Sequence, residues 1–242
     1  MRALSSADIL ALWETGAGQH PLDRALTVLA MTGDRRSDLA RLPIGERDRR
    51  LWELHEATFG PNLEALTQCP ACGGQIEFQF SVSDVRVPGL DGSETEHELN
   101  EGDWSIRFRL PESRDLAAIA TANDPSGAEI ELAARCLVRA KRNGSEAPPA
   151  DVPDAAWQAV QRKMCELDPQ AEVRFALSCP ACGHQWLALF DIAHFLWTEM
   201  TALARRLLRE VDLLARTYSW SESGILSLSP ARRQAYLELA GS

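Results

Sequence analysis

Cys69, Cys72, Cys179 and Cys182 stand in two copies of the pentapeptide CPACG. Thiolates two residues apart can take two corners of a tetrahedral zinc from one tight turn, and two such pairs supply all four corners. Gly73 and Gly183, each following a second cysteine, let the backbone turn sharply while its amides approach the sulfurs, and Pro70 and Pro180 stiffen the turn. A single CxxC is a weak signal; the doubled motif predicts one four-thiolate zinc site. Such a site has no open coordination position, so its expected role is structural. Redox dithiols, two half-sites completed by a second chain, and a fold that has lost its metal are the alternatives. His184 beside Cys182 could replace a ligand, although a place behind the ligands or an exposed one suits it better.

Each knuckle leads into a strand. CPACGGQIEFQFSV (Cys69–Val82) aligns with CPACGHQWLALFDI (Cys179–Ile192) at an offset of 110 residues, setting Ile76, Phe78, Phe80 and Val82 opposite Trp186, Ala188, Phe190 and Ile192. Period-two alternation marks a half-buried strand. It recurs at Trp104–Leu110 and Ala171–Ser178, predicting a small antiparallel sheet with one solvated face. With 106 residues between Cys72 and Cys179, the site would close a long loop.

Helical patterns flank this sheet. One helix opens at Ser6 or Asp8 and carries Ile9, Leu12 and Trp13; a second covers Leu22–Met31; a third covers Glu46–Thr58 with Leu51, Leu54 and Ala57 inward. Two more are expected at Ser113–Thr121 and Ser126–Arg139, followed by the linker NGSEAPPADVP and a helix at Asp154–Leu167. Asp191 caps the longest, whose seam runs through Leu196, Met200, Leu203, Leu207, Val211, Leu214 and Tyr218. Two short helices follow it, the second with Pro230 in its first turn. The expected fold is therefore α+β: a small antiparallel sheet around a split four-cysteine zinc ribbon, with helices on both sides. In domain terms this is a helical region at 1–60, a ribbon and sheet region at 61–190 with a helical insertion at about 111–168, and C-terminal helices at 191–242 packing on the same core.

The composition bounds the function. A net charge of -10 disfavours nucleic acid and anionic membrane as partners. No apolar run reaches the length of a bilayer span, and MRALSSADILALWETG lacks the continuous apolar stretch of a secretory signal, so the chain reads as cytoplasmic. Its 23 arginines against two lysines read as codon bias rather than as a binding surface. There is no HExxH, GxSxG or Walker loop, and the five histidines show no ligand spacing, so no enzyme is expected. Glu53, His55 and Glu56 read as a solvated helix face, Asp91–Asp103 as a solvated hairpin tip, and Cys136 and Cys165 as small core residues. The arginines between Arg35 and Arg50 are diluted by Asp34, Asp38, Glu46 and Asp48.

Six segments together resemble a known family: LWETGAGQHPLDRAL (Leu12–Leu26), IGERDRRLWELHEATFGPNLEALTQCPACG (Ile44–Gly73), FRLPESRDLAAI (Phe108–Ile119), DPQAEVRFALSCPACGHQW (Asp168–Trp186), FDIAHFLWTEM (Phe190–Met200) and YSWSESGILSLSPARRQAYLEL (Tyr218–Leu239). They resemble the baseplate hub assembly chaperones of T-even-type contractile phages and phage-tail-like contractile injection systems. The resemblance spans nearly the whole chain. It implies a non-enzymatic assembly factor whose partners are baseplate hub or spike proteins, with metal binding at Cys69, Cys72, Cys179 and Cys182. A zinc-ribbon nucleic-acid-binding regulator is the alternative from another class.

Overall fold

The computed structural model describes residues 1–87, 95–120 and 125–241. In chain order its elements are α1 (Ser6–Gly16), α2 (Pro21–Ala30), α3 (Arg36–Leu39), α4 (Ile44–Phe59), β1 (Asn62–Gln68), β2 (Gln75–Ser81), α5 (Val82–Val85), β3 (His97–Glu101) and β4 (Trp104–Phe108). There follow α6 (Ser113–Ile119), α7 (Pro125–Cys136), β5 (Leu137–Arg142), β6 (Ser145–Glu146), α8 (Asp154–Leu167), β7 (Val173–Ser178), β8 (Gln185–Phe190), α9 (Ile192–Tyr218), α10 (Glu222–Leu226) and α11 (Pro230–Ala240). The fold is α+β, as the sequence predicts, but among the described residues the strands fall into three antiparallel sheets rather than one: β1-β2, β3-β4-β5-β6 and β7-β8.

The main core gathers Ile9, Leu12, Leu26, Leu29, Leu51, Trp52, Leu54, Leu196, Met200 and Leu207, with Leu63 and Val82 joining from the first hairpin. Helix α9 is its spine: 27 residues long, about 40 Å at 1.5 Å per residue, it is capped by the Asp191 carboxylate, which accepts from the amides of Ala193 and His194. Ser5 and Asp8 close a capping box at the start of α1.

A second, smaller core unites Trp104, Ile106 and Phe108 with Ala140, Val152, Ala156 and Val160. Residues Trp104–Phe108 therefore do not extend the cysteine hairpins; they pair with β3 and β5. The stretch expected to be helical between 111 and 168 holds two strands as well. Asn143 and Gly144, both at positive φ, make a two-residue turn that folds β6 back on β5, the Asn-Gly hairpin signal.

Buried polar contacts lock this second unit to α4. The Gly45 amide donates to Asp168 over 2.9 Å, and Arg47 pairs with Asp48 and reaches Ser113. Burial pushes the Asp48 carboxyl up to about 6, against the opposing pull of Arg47. Asp115, also buried, binds Arg109 through both carboxylate oxygens.

Several side chains sit differently from expectation. His55 is fully buried rather than on a solvated face; its Nε2 lies 2.6 Å from Glu199 and its ring lies between Phe59 and Phe195. Ala57 is exposed, and Leu54 and His55 take the inward places on that turn, with Trp52 buried beside Leu51 one turn earlier. Cys136 is buried, but Cys165 is exposed at the end of α8 and belongs to no core. Residues 91–94 of the acidic run and Thr121 of the expected helix lie outside the described residues; the rest of the run forms β3 and its turn to β4.

Candidate metal centre

The two CPACG copies adopt one backbone form twice. The Cys69 amide donates to the Gly74 carbonyl and the Gly73 amide to the Cys69 carbonyl, both over 2.9 Å. In the second copy Cys179 donates to His184 over 2.8 Å and Gly183 to Cys179 over 2.9 Å. Gly73 and Gly183 hold φ of 71° and 73°, a left-handed conformation that other residues adopt at a cost. Each knuckle is the tip of a hairpin: β1 precedes the first and β2 follows it, and β7 and β8 do the same for the second.

The hairpins place the four sulfurs together. All four lie within 4.8 Å of one another, with Cys69 and Cys182 at 3.7 Å and Cys72 and Cys179 at 3.6 Å. A tetrahedron of sulfurs about 2.3 Å from a central zinc has edges of about 3.8 Å. The donor set thus fits a tetrahedral thiophilic cation in both distance and chemistry. Cys69 and Cys179 are buried and packed with Ile76 and half-buried Trp186, while Cys72 and Cys182 face solvent.

Electrostatics point the same way. Cys179 is drawn down to about 7, first by the Cys182 amide and then by that of Ala181. Cys182 is pushed up to about 12: the His184 amide favours its thiolate, but desolvation and the three neighbouring sulfurs outweigh it. Sulfurs this close cannot all ionise unaided, and a divalent cation removes that conflict. His184 is not in the ligand cluster; its ring stacks on Trp186 at 5.9 Å and its carbonyl closes the second knuckle.

An aromatic column joins the two hairpins to the helical core. Phe80 contacts Phe175 at 4.5 Å and Phe190 at 5.1 Å, and Phe190 stacks on Trp52 of α4 at 5.4 Å. Phe190 also meets Phe195 of α9 at 5.1 Å. Phe80 and Phe190 are equivalent positions of the 110-residue repeat, so the repeated strands meet at the pseudo-symmetric point. Strand β1, which completes the first hairpin, went unread in the sequence. Its alternation of Leu63, Ala65 and Thr67 was the available signal, masked by the helix-favouring string LEAL.

Two matched hairpins, each ending in a two-cysteine knuckle and closing on the other across a 106-residue insertion, define a split ribbon with a four-sulfur centre able to hold a metal. The family described as T4 bacteriophage base plate protein matches residues 26–197, a span that includes both knuckles and everything between them. The chain belongs to that family. No curated protein and no solved structure matches it. Among the described residues, no helix is long and apolar enough to cross a membrane.

Proposed function

We propose that this chain is a non-enzymatic assembly chaperone or adaptor for the baseplate hub of a contractile phage tail or tail-like injection system. It acts in the cytoplasm on hub or spike proteins, and Cys69, Cys72, Cys179 and Cys182 hold one structural Zn2+. The observation that carries the reading is the base plate family match over residues 26–197. The zinc is supported by the sulfur spacing, which suits a closed four-thiolate ion with no site for substrate or water.

A nucleic-acid-binding role draws less support. Beyond the net charge of -10, arginines of the 35–50 stretch are spent on neighbouring carboxylates: Arg36 on Asp23, Arg49 on Glu46 and Glu53, Arg50 on Asp34 and Glu46.

Co-expression with the hub and spike proteins of the same system tests the adaptor role. Soluble, assembly-competent hub protein is expected to rise with this chain and to fall when the knuckle cysteines are replaced by serine. Hub solubility and assembly that are indifferent to this chain would overturn it. Elemental analysis of the purified protein is expected to give about one zinc per chain, and a metal-free, stably folded wild type would overturn the zinc.

A further inference from the structure

The two hairpins leave open edges. Among the described residues, strand β1 pairs with β2 alone and β8 with β7 alone. The amides of Cys69 and Val82 donate to Gly74 and Pro61. This fixes the antiparallel ladder so that Leu63, Ala65 and Thr67 are bonded to β2, while the main-chain groups of Glu64 and Leu66 point away. By the same phase, set by Cys179 on His184, those of Leu187 and Leu189 point away from β7. None of these four residues makes a main-chain hydrogen bond outside its own hairpin among the described residues. The side chains of Leu66, Leu187 and Leu189 are 67%, 61% and 66% exposed. Neither strand carries the proline, lysine or bulge with which proteins blunt an edge.

Between these edges runs a slot of about 210 Å3, lined by Ala65, Leu66 and Thr67 on one side, by Ala188, Leu189 and Phe190 on the other, and by Asp191, His194 and Phe195. Phe78 and Phe175 form its back wall. The slot has a definite origin in the repeat. Phe78 and Ala188 are equivalent positions, so a ring on one hairpin is answered by a methyl on the other. Across the strands, Phe78 faces Ala65 and Phe175 faces Ala188, so both small residues lie on the open side. The charge of the rim is also one-sided. Asp191 lines the slot beside His194, and none of its lining residues is a lysine or arginine. Arg174 on β7 is held by Glu172.

We propose that this slot receives an extended segment of a partner protein, added as a strand along the β8 edge, with bulky apolar residues filling the space beside Ala65 and Ala188. Main-chain groups of Leu187 and Leu189 supply the hydrogen bonds, as in other strand-addition complexes. Alternate side chains of the segment enter the slot, and those between them are neutral or basic to suit Asp191. The inference stands on the hairpin geometry, so its failure would leave the hub co-expression result, and the adaptor reading, untouched.

A displayed library of ten-residue peptides, panned on the zinc-loaded full chain, tests it. Selected peptides are expected to alternate bulky apolar with neutral or basic residues and to slow amide exchange at Leu187 and Leu189. Binding, read by fluorescence anisotropy of a synthesised peptide, is expected to weaken at least tenfold in Ala188→Trp, which fills the slot. Leu189→Pro, which removes an outward amide without touching the β7 ladder, should do the same. Ile130→Ser, at an exposed apolar residue on α7, should leave it unchanged. Where either slot variant fails to bind zinc, Ala188→Leu takes its place as a smaller filling of the same space. Peptides without alternation, exchange protection elsewhere, or affinity indifferent to these variants would overturn the proposal. So would a concentration-dependent dimer lost in Leu189→Glu, which would assign the edge to a second copy.

Discussion

Gly45→Ala sets two well-known effects against each other. Glycine near the start of α4 costs up to about 1 kcal/mol relative to alanine by helix propensity alone. The surroundings reverse that gain. A Cβ at this position would stand 1.8 Å from Asp168 Oδ1, 2.6 Å from its Cγ and 2.9 Å from the main-chain nitrogen of Ala171. The carboxylate would have to withdraw, giving up its 2.9 Å bond from the Gly45 amide, a charged hydrogen bond of about 1.5–3 kcal/mol. The amide left behind is buried, and the Ala171 backbone has little room to yield. We expect a net loss of about 2–4 kcal/mol, a large share of the roughly 5–15 kcal/mol that holds a domain folded. Urea unfolding followed by tryptophan fluorescence measures it. In an Asp168→Ala background the same substitution should cost less, because the nearest clash has gone. A Gly45→Ala protein as stable as the parent, or equal costs in both backgrounds, would refute the reasoning.

Three further outcomes are expected. The Asp48 carboxyl sits at about 6 in the folded protein against an ordinary 3.8, so folding takes up a proton. Its contribution is fully present below pH 4 and is lost as pH rises through 6, by up to about 3 kcal/mol. Asp48→Asn should flatten the stability–pH curve over that window when its unfolding is compared with wild type, and an unchanged curve would count against it. Trp52→Ala, removing a fully buried ring stacked on Phe190, should cost about 3–5 kcal/mol in the same urea assay. If the four sulfurs hold zinc, a strong chelator releases a loop of 106 residues, worth about 4–5 kcal/mol by the loop-closure entropy of an equivalent covalent link. The melting temperature should then fall steeply with EDTA and recover on adding zinc.

The sequence made the four-cysteine cluster legible because the chemistry is local. Two cysteines, a proline and a glycine fix each knuckle, and period-two burial fixes the phase of the strand that follows. The pairing of strands was not legible in the same way. Trp104–Phe108 alternates as cleanly as Gln75–Ser81, yet it belongs to a different core, because alternation reports which face is buried and not against what. Cys136 ends α7 and Leu137 begins β5 without a break; that boundary is set by pairing with β4, a contact made across the fold. His55 shows the limit for polar residues. Flanked by Glu53 and Glu56 it reads as surface, and only the carboxylate of Glu199, 144 positions away, makes its burial tolerable.

The split between the knuckles has a consequence for the order of events during synthesis. The first pair of cysteines leaves the ribosome 110 residues before the second, a delay of roughly 6–20 s at ordinary elongation rates. Throughout that interval Cys69 and Cys72 make only half a coordination shell, and Phe80 lacks the rings of Phe175 and Phe190 that cover it. The ribbon therefore cannot close until the whole unit inserted within it has been synthesised, and the four sulfurs are the last of these parts to be brought together.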